Sequence, residues 1–185
     1  MIIVGINGRA DTGKDTIAAR LIEQHGFQVF AFATPIWAAL EEVGAIDEHR
    51  LHDRTYKESP LPGIGKSPRQ LAQEVGDYGR ALHPQLFIHA AEVSLHVFKL
   101  VHRCDRVVFS DVRLESEAEW ISSKGGAIWC VTRNGVAPVR AHLTEGYLPL
   151  NMIDQGIHND GTVEQLHERV DYLVEKLIAQ QAQVS

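Results

Sequence analysis

The stretch "GINGRADTGKDTIA" at residues 5–18 decides the fold. It overlaps the end of the apolar run "IIVGI", residues 2–6, which reads as a buried β-strand. It leads into a helix over residues 12–25, where Ile17, Ala18, Leu21 and Ile22 share one face and Gly26 marks the stop. Strand, glycine-bearing loop, helix is the context in which G-x-x-x-x-G-K-[ST] means a phosphate-binding loop. Gly8, Gly13 and Lys14 fit that pattern. In such a loop the main chain from Gly8 through Arg9, Ala10, Asp11, Thr12 and Gly13 turns its N–H groups toward phosphates. Lys14 reaches the β- and γ-phosphates, and the helix N-terminus adds partial positive charge.

One position breaks the rule. Asp15 stands where a Ser or Thr would hold magnesium. A carboxylate beside a triphosphate repels it, unless the metal arrives with the nucleotide. Mg²⁺ takes carboxylate, phosphate and water oxygens, so Asp15 could hold it directly or through water. Thr16 keeps a hydroxyl for a phosphate oxygen. On this reading the loop is a Mg²⁺-dependent nucleotide cradle; the alternative is that Asp15 only caps the helix.

Outward from the loop, strands and helices alternate. "FQVFAFA" (27–33), "RVVFS" (106–110), "AIWCVT" (127–132) and a short segment within 152–160 read as four further strands. Helices are expected from Thr34-Pro35, from Ser67-Pro68 to about Leu82, from Pro84 to about His102, over 114–124 and over 162–180. Residues 45–66, with Pro60, Pro62, Gly63 and Gly65, read as a loop. This order predicts an α/β fold: a largely parallel five-stranded sheet flanked by helices, the P-loop NTPase arrangement, in a single domain over 1–185. Residues 34–102 exceed a simple crossover and are expected to form a helical substrate-binding insertion. Residues 134–151, with Pro138, Gly146 and Pro149, read as a lid-like loop.

Composition narrows the partners. A net charge of -6 argues against polymeric nucleic acid. No apolar run reaches bilayer-spanning length, and the start does not read as a signal peptide. Cys104 and Cys130, without a C-x-x-C, read as reduced thiols of a cytoplasmic protein. The ten histidines show no H-x-H or H-E-x-x-H spacing and read as ordinary side chains.

Three further clusters carry chemistry. "SDVRLESE" places Asp111, Arg113 and Glu117 just past the third strand, at the sheet edge that faces the ligand crevice in open α/β folds. Arg113 has the planar fork that suits a phosphate, Asp111 could steer Mg²⁺ or an attacking oxygen, and Glu117 lies one turn on, where it can orient the guanidinium. Arg69, Gln73 and Arg80 fall near one face of the 67–82 helix, a row suited to a monophosphate and a base edge; a solvated face would look the same. Arg133, Arg140, His142 and Glu145 supply charge to the loop after the fourth strand, where arginine over a transferring phosphoryl group is a recurrent need.

Together these segments resemble the phage-type deoxynucleoside monophosphate kinases. "GRADTGKDTIA" resembles that family's G-K-D-T loop, and "SDVRLESEAEWI" its D-V-R-x-x-x-E-A-E segment. "SPRQLAQEVGDYGRALHPQLFI" resembles its Pro-Arg-x-x-x-Gln helix, "RAHLTEG" its His-x-[ST]-Glu stretch, and "IHNDGTVEQL" its closing Asn-x-Gly-Thr segment. The match runs in order over nearly the whole chain. It implies ATP with Mg²⁺ on Lys14, Asp15 and Thr16, with Asp111, Arg113 and Glu117 serving catalysis and acceptor binding. It implies transfer of the ATP γ-phosphoryl group to a deoxynucleoside monophosphate. Thr34 and Trp37 stand where the family often has an acidic and a basic residue, so base specificity stays open. So do homodimer formation, a different small acceptor such as dephospho-coenzyme A or a metabolite hydroxyl, and a nucleotide-binding module without turnover.

Overall fold

The computed structural model describes residues 1–102, 104–136 and 147–182. Arg140, His142 and Glu145, and most of the lid-like loop, lie outside the described residues. The chain forms two compact units, Met1–Ala31 with Leu95–Ser185, and Phe32–Ser94.

The first unit is built on a five-stranded sheet in the order β2-β3-β1-β4-β5. Its strands are β1 (Ile2–Gly8), β2 (Gln28–Phe30), β3 (Arg106–Phe109), β4 (Ala127–Thr132) and β5 (Gln155–His158). Every pairing is parallel. A parallel strand is covered on both faces, so its sequence is apolar throughout rather than alternating. β1 shows this, with Ile2 to Asn7 all buried. Ile2, Val4 and Ile6 pack with Ile17 and Leu21 of α1 (Lys14–His25) and with Val170, Leu173 and Val174 of α7 (Val163–Ala182). On the other face lies α6 (Glu115–Ser123). A Cβ on Gly5 would come within 2.7 Å of Ile121 Cδ1 and 2.9 Å of Val112 Cγ2, so that close approach requires glycine. The order reverses at β1, which sits between β3 and β4. That places a ligand crevice at the C-terminal end of β1.

The helical ends follow local chemistry. Gly26 ends α1 in the left-handed region at φ 66°. Its N–H bonds Ile22 O, the αL closure, and the N–H of Phe27 bonds Leu21 O. Phe27 therefore spends its N–H on the helix, and β2 begins at Gln28. It ends at Phe30, shorter than the expected 27–33, because the chain turns into α2 (Thr34–Glu42) with Ala33, not Thr34, at the N-cap. Phe32 is buried outside any strand. The other helices and strands stand close to expectation, and β4 coincides with "AIWCVT".

α1 and α7 are also tied by charge. Arg20 donates to both Asp171 oxygens, at 3.0 and 2.6 Å, and His25 Nε2 lies 2.7 Å from Asp171 Oδ1. The Arg20 guanidinium, with His25 beside it, holds the Asp171 carboxyl at about 2, below its ordinary 3.8. A depressed folded value stabilises the fold above the unfolded value and loses that contribution as pH falls through the folded one. Asp171→Asn should therefore lower the melting temperature at pH 7 by about 1–4 °C, the pair being partly exposed. The gap to wild type should close between about pH 4 and pH 2. Melts across that range check this; a constant gap contradicts it.

The second unit holds α2, α3 (Arg54–Glu58), α4 (Pro68–Leu82) and the first half of α5 (Leu86–Val101). Ile36, Leu40 and Ile46 form its core, joined by Trp37, Leu71, Val75 and Phe87. α4 starts where Ser67-Pro68 predicts, with a capping box: Gln70 N donates to Ser67 Oγ at 3.3 Å, and Ser67 N to Gln70 Oε1 at 2.9 Å. Residues 45–66 are more ordered than their composition suggests. Asp47 caps a 3₁₀ turn at Glu48–Arg50, and Asp53 caps α3 by accepting from Thr55 N at 2.8 Å. Tyr56 is buried and its hydroxyl accepts from Asp47 N at 2.8 Å. Two aspartate caps and one anchored tyrosine order a segment whose prolines and glycines suggest a loop.

Candidate active site

The loop between β1 and α1 is held from several sides. Thr12 is fully buried and its hydroxyl donates to Arg9 O at 2.8 Å. Asn159, just past β5, donates from Nδ2 to Thr12 O at 2.8 Å. Gly13 lies at φ 102°, and a Cβ there would run into the Asn159 carboxamide. Glycine is needed at this point both for the angle and for the approach. Asp11 also takes a positive φ, 62°, which aspartate tolerates better than most residues. Arg9 lies 4.8 Å from the centre of the Tyr147 ring, a cation–π contact.

Lys14 is 9% exposed and its ammonium donates to Gly8 O at 2.8 Å and Arg9 O at 2.9 Å. It thus folds back along the loop it is meant to serve, 3.8 Å from Asp111 Oδ1. Asp15 is exposed in the first turn of α1. Gly13 holds the N-cap position and no side chain among the described residues caps the helix, so Asp15 is not the cap. Thr16 is half-buried beside it.

Asp111 and Arg113 follow β3, and the chain there stays docked to β1 through Val112 N and Ile6 O at 2.9 Å. Arg113 Nε donates to Asp111 Oδ2 at 2.7 Å. Asp111 Oδ1 is buried and accepts no hydrogen bond from the described residues. A line of charge therefore runs Lys14–Asp111–Arg113 at the C-terminal ends of β1 and β3, where the topology puts a ligand. Glu117, 7% exposed, accepts from Arg113 N at 2.8 Å and Leu114 N at 3.1 Å. It holds Arg113 by the main chain and closes the N-terminus of α6, where a carboxylate is favoured.

The other expected residues are placed as follows. Arg133 is exposed, one residue beyond β4. In the second unit, Arg69 Nε lies 2.7 Å from Glu58 Oε1, Arg80 donates to Asp77 Oδ1 at 2.7 Å, and Gln73 is half-buried. Asn159 escaped the sequence reading as a support of the phosphate loop. Its signal was its place directly after the fifth strand, at the same sheet edge as the loop.

Comparison with known proteins gives the family and the fold. The family model "Deoxynucleotide monophosphate kinase" matches residues 89–170. A protein of Acanthamoeba polyphaga mimivirus named as a deoxynucleotide monophosphate kinase is 30% identical over 184 residues, covering 92% of this chain and 94% of that protein. The deoxynucleotide monophosphate kinase of Escherichia phage RB69 is 31% identical over 70 residues, 38% of this chain and 29% of that one. Among solved structures, a dephospho-CoA kinase from Campylobacter jejuni superposes with TM-score 0.50 at 13% identity, covering 96% and 98% of the two chains, a likeness of fold alone. The chain belongs to the deoxynucleotide monophosphate kinase family and is a kinase.

Proposed function

We propose that the protein transfers the γ-phosphoryl group of ATP to a deoxynucleoside monophosphate, giving ADP and a deoxynucleoside diphosphate. The observation that carries this is the Lys14–Asp111–Arg113 line beside a phosphate-binding loop, in a chain of this family. An oxygen of the acceptor phosphate attacks the γ-phosphorus. A new P–O bond forms as the bond to the β,γ-bridging oxygen breaks, and ADP leaves with that electron pair. The attacking oxygen is already ionised, so alignment and charge neutralisation matter more than a strong base. Lys14 exchanges its carbonyl partners for phosphate oxygens. Arg113 bridges Asp111 and the phosphoryl group or the acceptor phosphate. Arg69, Gln73 and Arg80 on α4 supply acceptor contacts, and Arg133 the nucleotide side.

Magnesium fits the carboxylates present. Asp15 is exposed in the first turn of α1, and Asp111 offers a buried oxygen with no hydrogen bond among the described residues; both are hard oxygen donors. Bound with ATP, the ion would neutralise charge on the β- and γ-phosphates. Asp15→Ser should then keep partial activity with an altered Mg²⁺ dependence, and Asp15→Ala should lose more. Identical Mg²⁺ titrations of wild type and both variants would remove Asp15 from the metal site.

The reading as a whole is tested by ADP formation from ATP and Mg²⁺ with each deoxynucleoside and ribonucleoside monophosphate in turn, and with dephospho-coenzyme A. Turnover with at least one deoxynucleoside monophosphate, well above the rate with dephospho-coenzyme A, is expected. Turnover with dephospho-coenzyme A alone contradicts it.

A further inference from the structure

Asn7 is the last residue before Gly8 and is 1% exposed. It stands in the middle of the sheet, on a strand whose preceding residues are Ile, Ile, Val, Gly and Ile. A carboxamide at such a place costs stability unless every partner is supplied. Here both ends are used. Nδ2 donates to the main-chain oxygen of Val112 at 2.9 Å, and Oδ1 accepts from Leu148 N at 3.2 Å. Val112 is the residue between Asp111 and Arg113. Leu148 is 5% exposed and follows Tyr147, on whose ring Arg9 lies. One buried amide thus joins three segments far apart in the chain: the strand that delivers the phosphate loop, the turn that carries the Asp111–Arg113 pair, and the stretch that brings Tyr147 to Arg9.

We propose that Asn7 is a positioning residue for phosphoryl transfer, setting the Asp111–Arg113 turn in register with the phosphate loop through the Val112 carbonyl. The proposal rests on the kinase reading above. An apolar side chain of similar size would take from the Val112 carbonyl and the Leu148 N–H the partners that Asn7 gives them. Its effect reaches the chemistry through Asp111 and Arg113. Loss of Asn7 should therefore lower kcat while leaving ATP binding at the loop nearly intact.

Three variants test it, each assayed on a deoxynucleoside monophosphate that wild type phosphorylates and only at temperatures where melting shows the variant folded. Asn7→Leu removes both bonds. Its kcat should fall by about ten- to a hundredfold, the scale of a small misplacement of reacting groups, with the ATP dissociation constant changed less than about threefold. Should it fail to fold, Asn7→Ser, which fits the space but cannot bridge both partners, should show the same split. Asn7→Asp adds a pH signature. The ionised carboxylate accepts from Leu148 N–H but faces the Val112 carbonyl oxygen with no proton to donate. The protonated form donates to Val112 and accepts from Leu148, as the amide does. Burial and the facing carbonyl raise the pKa of the introduced carboxyl. Its kcat relative to wild type should rise as pH falls through that value, and the ratio for Asn7→Leu should stay flat. A folded Asn7→Leu or Asn7→Ser with wild-type kcat would overturn the proposal, as would an Asn7→Asp profile parallel to wild type. If wild type phosphorylates none of the monophosphates, the kinase reading fails instead, and that result is seen before any variant is made.

Discussion

Lys14→Ala should lower kcat by about a hundred- to a thousandfold, the usual cost of removing one preorganised contact to a transferring group. The ammonium sits at the mouth of the loop, bonded to Gly8 O and Arg9 O and 3.8 Å from Asp111. It bonds the loop carbonyls and lies beside the Asp111 carboxylate at once, and a truncated side chain removes that charge. The fold should survive, because the sheet core lies in β1, α1 and α7 rather than in this contact. A melting curve within a few degrees of wild type, beside a collapsed kcat, is the expected pair of results. A folded variant with near-normal turnover would remove Lys14 from the chemistry.

The second large effect falls on Arg113. Arg113→Lys should be nearly as damaging as Arg113→Ala, both about a hundredfold down in kcat. The guanidinium spends Nε on Asp111 Oδ2 at 2.7 Å. In the proposed reaction the planar fork would hold Asp111 and a phosphate oxygen together. A lysine has one nitrogen and cannot hold Asp111 and a phosphate in fixed geometry together. Steady-state rates of the two variants check this, and a wild-type rate for Arg113→Lys would reduce the Asp111–Arg113 contact to a structural ion pair.

Much of this was legible because it is local. The run "IIVGI" is apolar without alternation, as a strand buried on both faces must be, and Gly13-Lys14 follows it at loop distance. Ser67, Pro68 and Gln70 spell the start of α4 within four residues. The D-x-R segment could be placed at the ligand edge because it directly follows a strand. What stayed hidden lacks a local signature. Phe27 looks like strand but gives its N–H to the end of α1. Asp47 and Asp53 cap short turns inside a proline-rich stretch that reads as loop. Asn7 and Asn159 act on partners more than a hundred positions away in sequence. No periodicity marks a single buried amide. Its role exists only once the sheet has brought β3 beside β1, and β4 and β5 on the other side of it.

The most direct test of the central claim follows the phosphorus itself. Wild-type protein, ATP labelled at the γ-phosphorus, Mg²⁺ and one unlabelled deoxynucleoside monophosphate at a time are incubated, and the products are separated. The account predicts label in the β-phosphate of the matching deoxynucleoside diphosphate, in step with the ADP formed, and lost together in Lys14→Ala. Label appearing only as inorganic phosphate, with no labelled diphosphate for any base, would contradict it.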